Sequence, residues 1–103
     1  MSRYTVYIVP DAWREIKKLP GNMRQRVKRA IKKMADNPRL PKSKELDVPD
    51  FEHELRRLRL DRWRVIYSVS ETDRAVDVLA VRKRPPYDYE DLEELLEDAL
   101  SLH

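Results

Sequence analysis

This 103-residue chain contains no cysteine, which excludes a disulfide and any thiolate metal site. It has a single glycine, Gly21, which excludes a glycine-rich loop that cradles phosphates. Its two histidines, His53 and His103, cannot build a metal site without carboxylate help, and no spacing of Asp and Glu suggests one. No metal and no small-molecule cofactor is therefore expected. No serine, cysteine or histidine constellation for nucleophilic catalysis is visible either. No apolar run approaches the roughly 20 residues of a membrane span. The opening MSRYTVYIV is broken at once by Pro10 and Asp11, unlike a secretory signal. These absences describe a soluble, cytoplasmic protein with no membrane partner, of one domain, large enough to bury its own core.

What is present is charge. Charged residues make up 40% of the chain, with a formal net charge of +3. That average hides an asymmetry. From Asp88 onward there are seven acidic residues and no Lys or Arg; residues 1–87 carry all 22 basic residues against 12 acidic ones, a net +10. A basic body with an acidic tail is the charge pattern of a polyanion binder carrying its own counter-charge.

Tyr4 to Val9, rich in β-branched and aromatic residues, predicts a strand. Pro10 and Asp11 suit the first turn of a helix, and Ala12, Trp13, Ile16 and Leu19 recur at helical spacing, which places Trp13 in the core. Pro20-Gly21 ends that helix, and Asn22 predicts the N-cap of a second one. Met23, Val27, Ala30, Ile31 and Met34 form its apolar stripe. Its opposite face, with Arg24, Arg26, Lys28, Arg29, Lys32 and Lys33, reads as ordinary solvated surface. Two helices joined by so short a turn form an αα-hairpin. Residues 37–51 hold three prolines and read as a loop. Glu54 to Leu60 and Trp63 to Ser70 then read as paired strands, Ala75 to Val81 as a central one, and Glu90 to Leu100 as a helix with a leucine stripe. The expected fold is a small α+β single domain, β-α-α-β-β-β-α, with an antiparallel sheet packed by the αα-hairpin. Residues 1–89 form the body, and the acidic C-terminal helix of 90–103 belongs to the same domain.

The most informative stretch is RRLRLDRWRVIY, from Arg56 to Tyr67, with five arginines between Arg56 and Arg64. Successive side chains of a strand point to opposite faces. Leu58 and Leu60 therefore face a core while Arg57 and Arg59 face away. Across the break at Asp61-Arg62, Trp63, Val65 and Tyr67 share one face and serve sheet packing, with Arg64 between them. Lys and Arg on strand edges also block aggregation, which accounts for one or two such residues but poorly for this density. A strand pair greasy on one side and guanidinium-rich on the other is suited to an anion, and a nucleic-acid backbone supplies several charges at such spacing. Arg82, Lys83 and Arg84 extend the set, and Tyr87 and Tyr89 follow two prolines. RNA carries its own nucleophile, the 2′-hydroxyl. Guanidinium groups hold phosphate oxygens and stabilise the charge of in-line attack, and tyrosine stacks on bases or assists proton transfer.

The element order, the run RLRLDRWRVIY (Arg57 to Tyr67), the VLAVRKR ending followed by Tyr87 and Tyr89, and the KKLP closing the first helix (Lys17 to Pro20) resemble the RelE/ParE superfamily of bacterial and archaeal toxins, in its RelE-like branch, over about residues 4 to 89. The resemblance implies a metal-independent endoribonuclease that cleaves mRNA on the ribosome and is blocked by a cognate antitoxin wrapped around it. It also implies a catalytic set on the concave face of the sheet: Arg57, Arg59, Arg64, Arg84 and Tyr87 or Tyr89. Arg56, Arg62, Arg82 and Lys83 are the expected accessory RNA-binding residues. Some relatives carry lysines at the alternating positions, one of them the general base. Both are arginine here, which cannot serve as a base at neutral pH; Tyr87, Tyr89, Glu54 and His53 are the substitutes. The alternatives are a ParE-like inhibitor of DNA gyrase and a non-catalytic RNA- or ribosome-binding module of the same fold. The catalytic reading requires Arg57, Arg59, Arg64 and Arg84 to converge on one surface.

Overall fold

The computed structural model describes residues 3–48 and 51–101, with side chains described as far as residue 97. The elements run β1 (Thr5–Ile8), α1 (Pro10–Lys17), α2 (Gly21–Met34), β2 (Ser43–Leu46), β3 (Glu54–Leu60), β4 (Trp63–Ser70), β5 (Ala75–Lys83) and α3 (Leu92–Ser101). One sheet carries the strands in the order β1-β5-β4-β3-β2. The expected α+β fold holds. Two features go beyond the sequence reading: β1 pairs parallel with β5, and the proline-rich segment read as a loop contains β2, antiparallel to β3. Ser43–Leu46 is too short and too polar to announce itself; pairing with β3 makes it a strand.

Alternation along β3 and β4 divides the sheet into two faces. Glu54, Arg56, Leu58 and Leu60 stand opposite Val69, Tyr67, Val65 and Trp63 and share the first face. It is covered by the helical hairpin, whose stripe of Met23, Val27, Ala30, Ile31 and Met34 is buried, as are Ala12 and Ile16 of α1. Tyr67 is fully buried there and its hydroxyl donates to the Pro38 carbonyl at 2.6 Å, tying the segment that follows α2 to the sheet centre. The second face carries Leu55, Ile66, Ser68, Asp77 and Ala80, all at most 2% exposed. α3 packs against β5, the strand of Asp77 and Ala80, and adds Leu95 and Leu96 to the core. Between Ile66 and Tyr67 the β4–β5 register shifts, leaving Leu79 as an extra, buried residue in β5.

β5 runs past the end of β1, so its outer edge lacks a ladder partner there. The Glu15 carboxylate of α1 accepts the Val81 N–H at 3.1 Å and closes that edge. Two expectations about the helices are corrected. Asn22 lies inside the first turn of α2, whose N-cap is Pro20 without a side-chain cap bond. Trp13 is not in the core: it is 37% exposed. Ala12, Ile16 and Leu19 fill the contact that so short a helix can make, leaving Trp13 at its margin. The Lys17 and Lys28 ammonium groups lie 5.6 and 5.7 Å from the Trp13 ring centroid.

Candidate functional site

The arginines of the strand pair come together by register. Arg59 stands directly opposite Arg64, and Arg64 directly opposite Arg82, so three guanidinium-bearing positions form a row across β3, β4 and β5 on the second face. One row further along, Lys44, Arg57 and Ile66 lie side by side. Beyond the end of β5 the Arg84 N–H donates to the Arg62 carbonyl at 2.7 Å, continuing the ladder so that these two arginines also face each other. Register and alternation thus put Arg57, Arg59 and Arg64 on one face, and carried one residue past β5 they put Arg84 there too. The sharp Asp61-Arg62 turn that aligns the row takes a left-handed conformation at Asp61, φ 54°, a region Asp tolerates better than most residues.

Like charges directly opposite in a sheet repel, so each cation needs compensation or an external anion. Arg82 is compensated. Its guanidinium pairs with Glu15 of α1 and, at 2.7 Å, with Asp91 just before α3, and it lies 5.3 Å from the Tyr87 ring centroid. Burial works against its charged form, but the Glu15 and Asp91 charges hold its pKa above the usual value. Burial raises the Glu15 pKa, although the Val81 N–H and the Arg82 guanidinium both oppose the rise. Among the described residues, Arg57, Arg59, Arg64 and Arg84 have no carboxylate partner. The contacts of three of them are soft: Arg57 donates to the Lys42 carbonyl at 3.4 Å, Arg64 donates to the carbonyls of Asp61 and Trp63 at 3.0 Å, and Arg84 lies 5.1 Å from the Tyr89 ring centroid. At the β2–β3 margin a cavity of about 500 Å³ is lined by Lys42, Ser43, Lys44, Arg57, Arg59 and Asp61.

Several residues expected at this site are placed elsewhere. Arg56 projects from the first face, where it donates to Glu54 at 2.6 Å and to Ser43. Lys83 pairs in register with Trp63 and so also belongs to the first face. Arg82 is at the site but is held by carboxylates. Arg62 occupies the turn. Glu54 accepts from Arg39 and Arg56; burial raises its pKa, but these two arginines outweigh that and hold it below the usual range. His53 lies just before β3, its ring edge-on to Phe51. The tyrosines separate in role. The Tyr87 hydroxyl donates to Asp91 at 2.6 Å, and burial first, then that bond, pushes its pKa well up. The Tyr89 hydroxyl oxygen is buried without a hydrogen-bond partner among the described residues, and its backbone takes φ 65°. Nothing in the sequence marks Lys42 and Lys44, because the segment carrying them reads as a loop.

Over residues 6–85 the chain matches the family of the ParE toxin of type II toxin–antitoxin systems, parDE. It is 33% identical over 82 residues to a RelE-like toxin protein of Escherichia coli, covering 80% of this chain and 84% of that protein. Among solved structures it is similar to RelE in the archaeal RelE–RelB complex from Pyrococcus horikoshii, with TM-score 0.72, 25% identity, and coverage of 82% of this chain and 99% of that one. The isolated Escherichia coli RelE toxin shares the fold at TM-score 0.65, 22% identity and coverage of 93% and 98%. With its strand order, its hairpin-covered face and its arginine row, the chain belongs to the RelE/ParE family of toxins of type II toxin–antitoxin systems.

Proposed function

We propose that this chain is a RelE-type endoribonuclease that cleaves mRNA on the ribosome and is held inactive by a cognate antitoxin. The observation that carries the reading is the row in which Arg59 faces Arg64 beside Arg57, without carboxylate compensation among the described residues. Such a row is costly unless an anion fills it, and a scissile phosphate with its neighbours is an anion of matching spacing. The likeness to a RelE that was crystallised with RelB supports an antitoxin as partner, and the cationic face is the surface it would need to mask.

In this reading the 2′-hydroxyl attacks the adjacent phosphorus in line as the 5′-oxygen leaves. Arg57 and Arg59 grip the non-bridging oxygens and neutralise the charge that grows on them. Arg64 and Arg84 hold flanking phosphates. Tyr89 supports the Arg84 guanidinium through its ring. Tyr87 bonds Asp91 and so fixes the carboxylate that holds Arg82; it positions the site and does not take a proton. No resident metal is needed for these roles.

A second reading, inhibition of DNA gyrase, is favoured by the match to the ParE toxin family. One experiment separates them. Purified protein is added to ribosomes carrying a defined mRNA, with primer extension as readout, and in parallel to gyrase supercoiling a plasmid. Cleavage within the ribosome-bound codon with normal supercoiling is expected. Intact mRNA together with blocked supercoiling would sink the ribonuclease reading.

A further inference from the structure

Cleavage of RNA by this route needs a proton for the departing 5′-oxygen. Arginine keeps its protons at neutral pH, so Arg57, Arg59, Arg64 and Arg84 supply charge and not a proton. The Tyr87 hydroxyl is already donated to Asp91, and the Tyr89 hydroxyl oxygen is buried. Glu54 is occupied by Arg39 and Arg56 on the first face. His53 precedes β3 at the end remote from Arg59, six residues or roughly 20 Å away along an extended strand.

Lys44 lacks these defects. It lies on the edge strand β2 as the direct register partner of Arg57, which places it on the second face. It is exposed, and it lines the same cavity as Arg57 and Arg59. An ammonium at that place carries charge like its neighbours and, unlike them, can give up a proton and recover it. Lys42 lines the cavity too, but it precedes β2, and its carbonyl accepts the Arg59 N–H at 3.2 Å as part of the strand end.

We infer, on the ribonuclease reading above, that Lys44 is a catalytic residue, the general acid that protonates the leaving 5′-oxygen. The 2′-oxygen forms its bond to phosphorus and its proton passes to water. The bond from phosphorus to the 5′-oxygen breaks with its electron pair on oxygen, which takes a proton from the Lys44 ammonium. Water then reprotonates the amine. The products are a 2′,3′-cyclic phosphate and a 5′-hydroxyl, and no other reactant is consumed.

The test uses the full chain, programmed ribosomes and two mRNAs that differ at the cleaved linkage. One is all oxygen; the other carries sulfur in place of the bridging 5′-oxygen, a leaving group that departs without protonation. Lys44→Ala and Lys44→Arg should each slow single-turnover cleavage of the oxygen substrate by about 100-fold. On the sulfur substrate both should cut within about threefold of the wild-type rate. Equal slowing on both substrates, unchanged rates in both variants, or full activity of Lys44→Arg on oxygen overturns Lys44 as proton donor while leaving the ribonuclease reading standing. A wild-type protein that cuts neither substrate overturns that reading and this inference with it.

Discussion

Arg59 and Arg64 are direct cross-strand partners on the same face of the sheet. A folded chain gains nothing from that pair by itself, since like charges opposite each other weaken a sheet. The pair makes sense as a site whose stability is traded for an anion. Arg59→Gln should therefore stabilise the free protein, by about 0.2–1 kcal/mol, and weaken RNA binding. The slope of log affinity against log salt should fall by roughly 0.7 for the lost phosphate contact on single-stranded RNA. Thermal melting and filter binding at several salt concentrations read both. A variant that is no more stable and binds with an unchanged slope would remove Arg59 from the phosphate site.

Arg82 shares the row but not the role. Its pairs with Glu15 and Asp91 join α1, β5 and the start of α3. Arg82→Met leaves two half-buried carboxylates and the Tyr87 hydroxyl network without their cation. Stability should fall by about 1–3 kcal/mol, and protease should cut the chain near residues 88–91 sooner. The salt slope of RNA binding should stay at the wild-type value, because this guanidinium meets protein rather than phosphate. A lower slope would return Arg82 to the RNA-binding set expected from the sequence.

The contrast between Arg59 and Arg82 also marks how far the sequence can be read. Strand alternation was legible in RLRLDRWRVIY because every second residue from Leu58 to Tyr67, Asp61-Arg62 aside, has the polarity its face demands. The convergence of Arg57, Arg59 and Arg64 followed from parity alone. Which cation is neutralised was not legible. Glu15 lies 67 residues from Arg82 and Asp91 only nine, and neither distance in sequence signals the contact. Lys44 escaped notice for a related reason, since a four-residue strand flanked by prolines has no periodicity to detect. Trp13 shows the opposite error. Helical spacing placed it with Ala12 and Ile16, but spacing gives a direction and not the width of the buried stripe.

Glu54 gives the fold an acid sensitivity of defined sign. Burial raises its pKa, but the Arg56 and Arg39 hydrogen bonds outweigh that and hold it low, so the folded state binds its proton less readily than the unfolded chain. Its stabilisation is present above the unfolded carboxylate pKa of about 4.3 and is lost as pH falls through the lower folded value. Glu15 has the reverse sign: its pKa is raised by burial, and its cost is relieved on acidification. Glu54→Gln should be less stable than wild type at pH 7, with the difference shrinking toward pH 3. Urea midpoints measured between those limits check it. A difference that stays constant with pH would mean that Glu54 contributes through packing and not through its charge.

The acidic tail should weaken the positive field over the proposed site. Leu95 and Leu96 are buried, so burial of the leucine face holds α3 down, while Glu93, Glu94 and Glu97 are exposed. Exposed charge pairs add little to docking, ~0.2–1 kcal/mol each, but three carboxylates without a cation partner among the described residues would lower the positive potential on which the proposed RNA binding depends. Removing the whole tail would also strip the core of its leucines, so the cleaner change is charge alone. Replacing Glu93, Glu94 and Glu97 together by Gln should leave the fold and the melting temperature nearly unchanged. RNA binding should tighten at 20 mM salt by several-fold. The gain should vanish near 1 M salt, where the screening length drops to about 3 Å. If the triple variant binds RNA with wild-type affinity at low salt, the tail carboxylates do not restrain the site, and their role is confined to solubility.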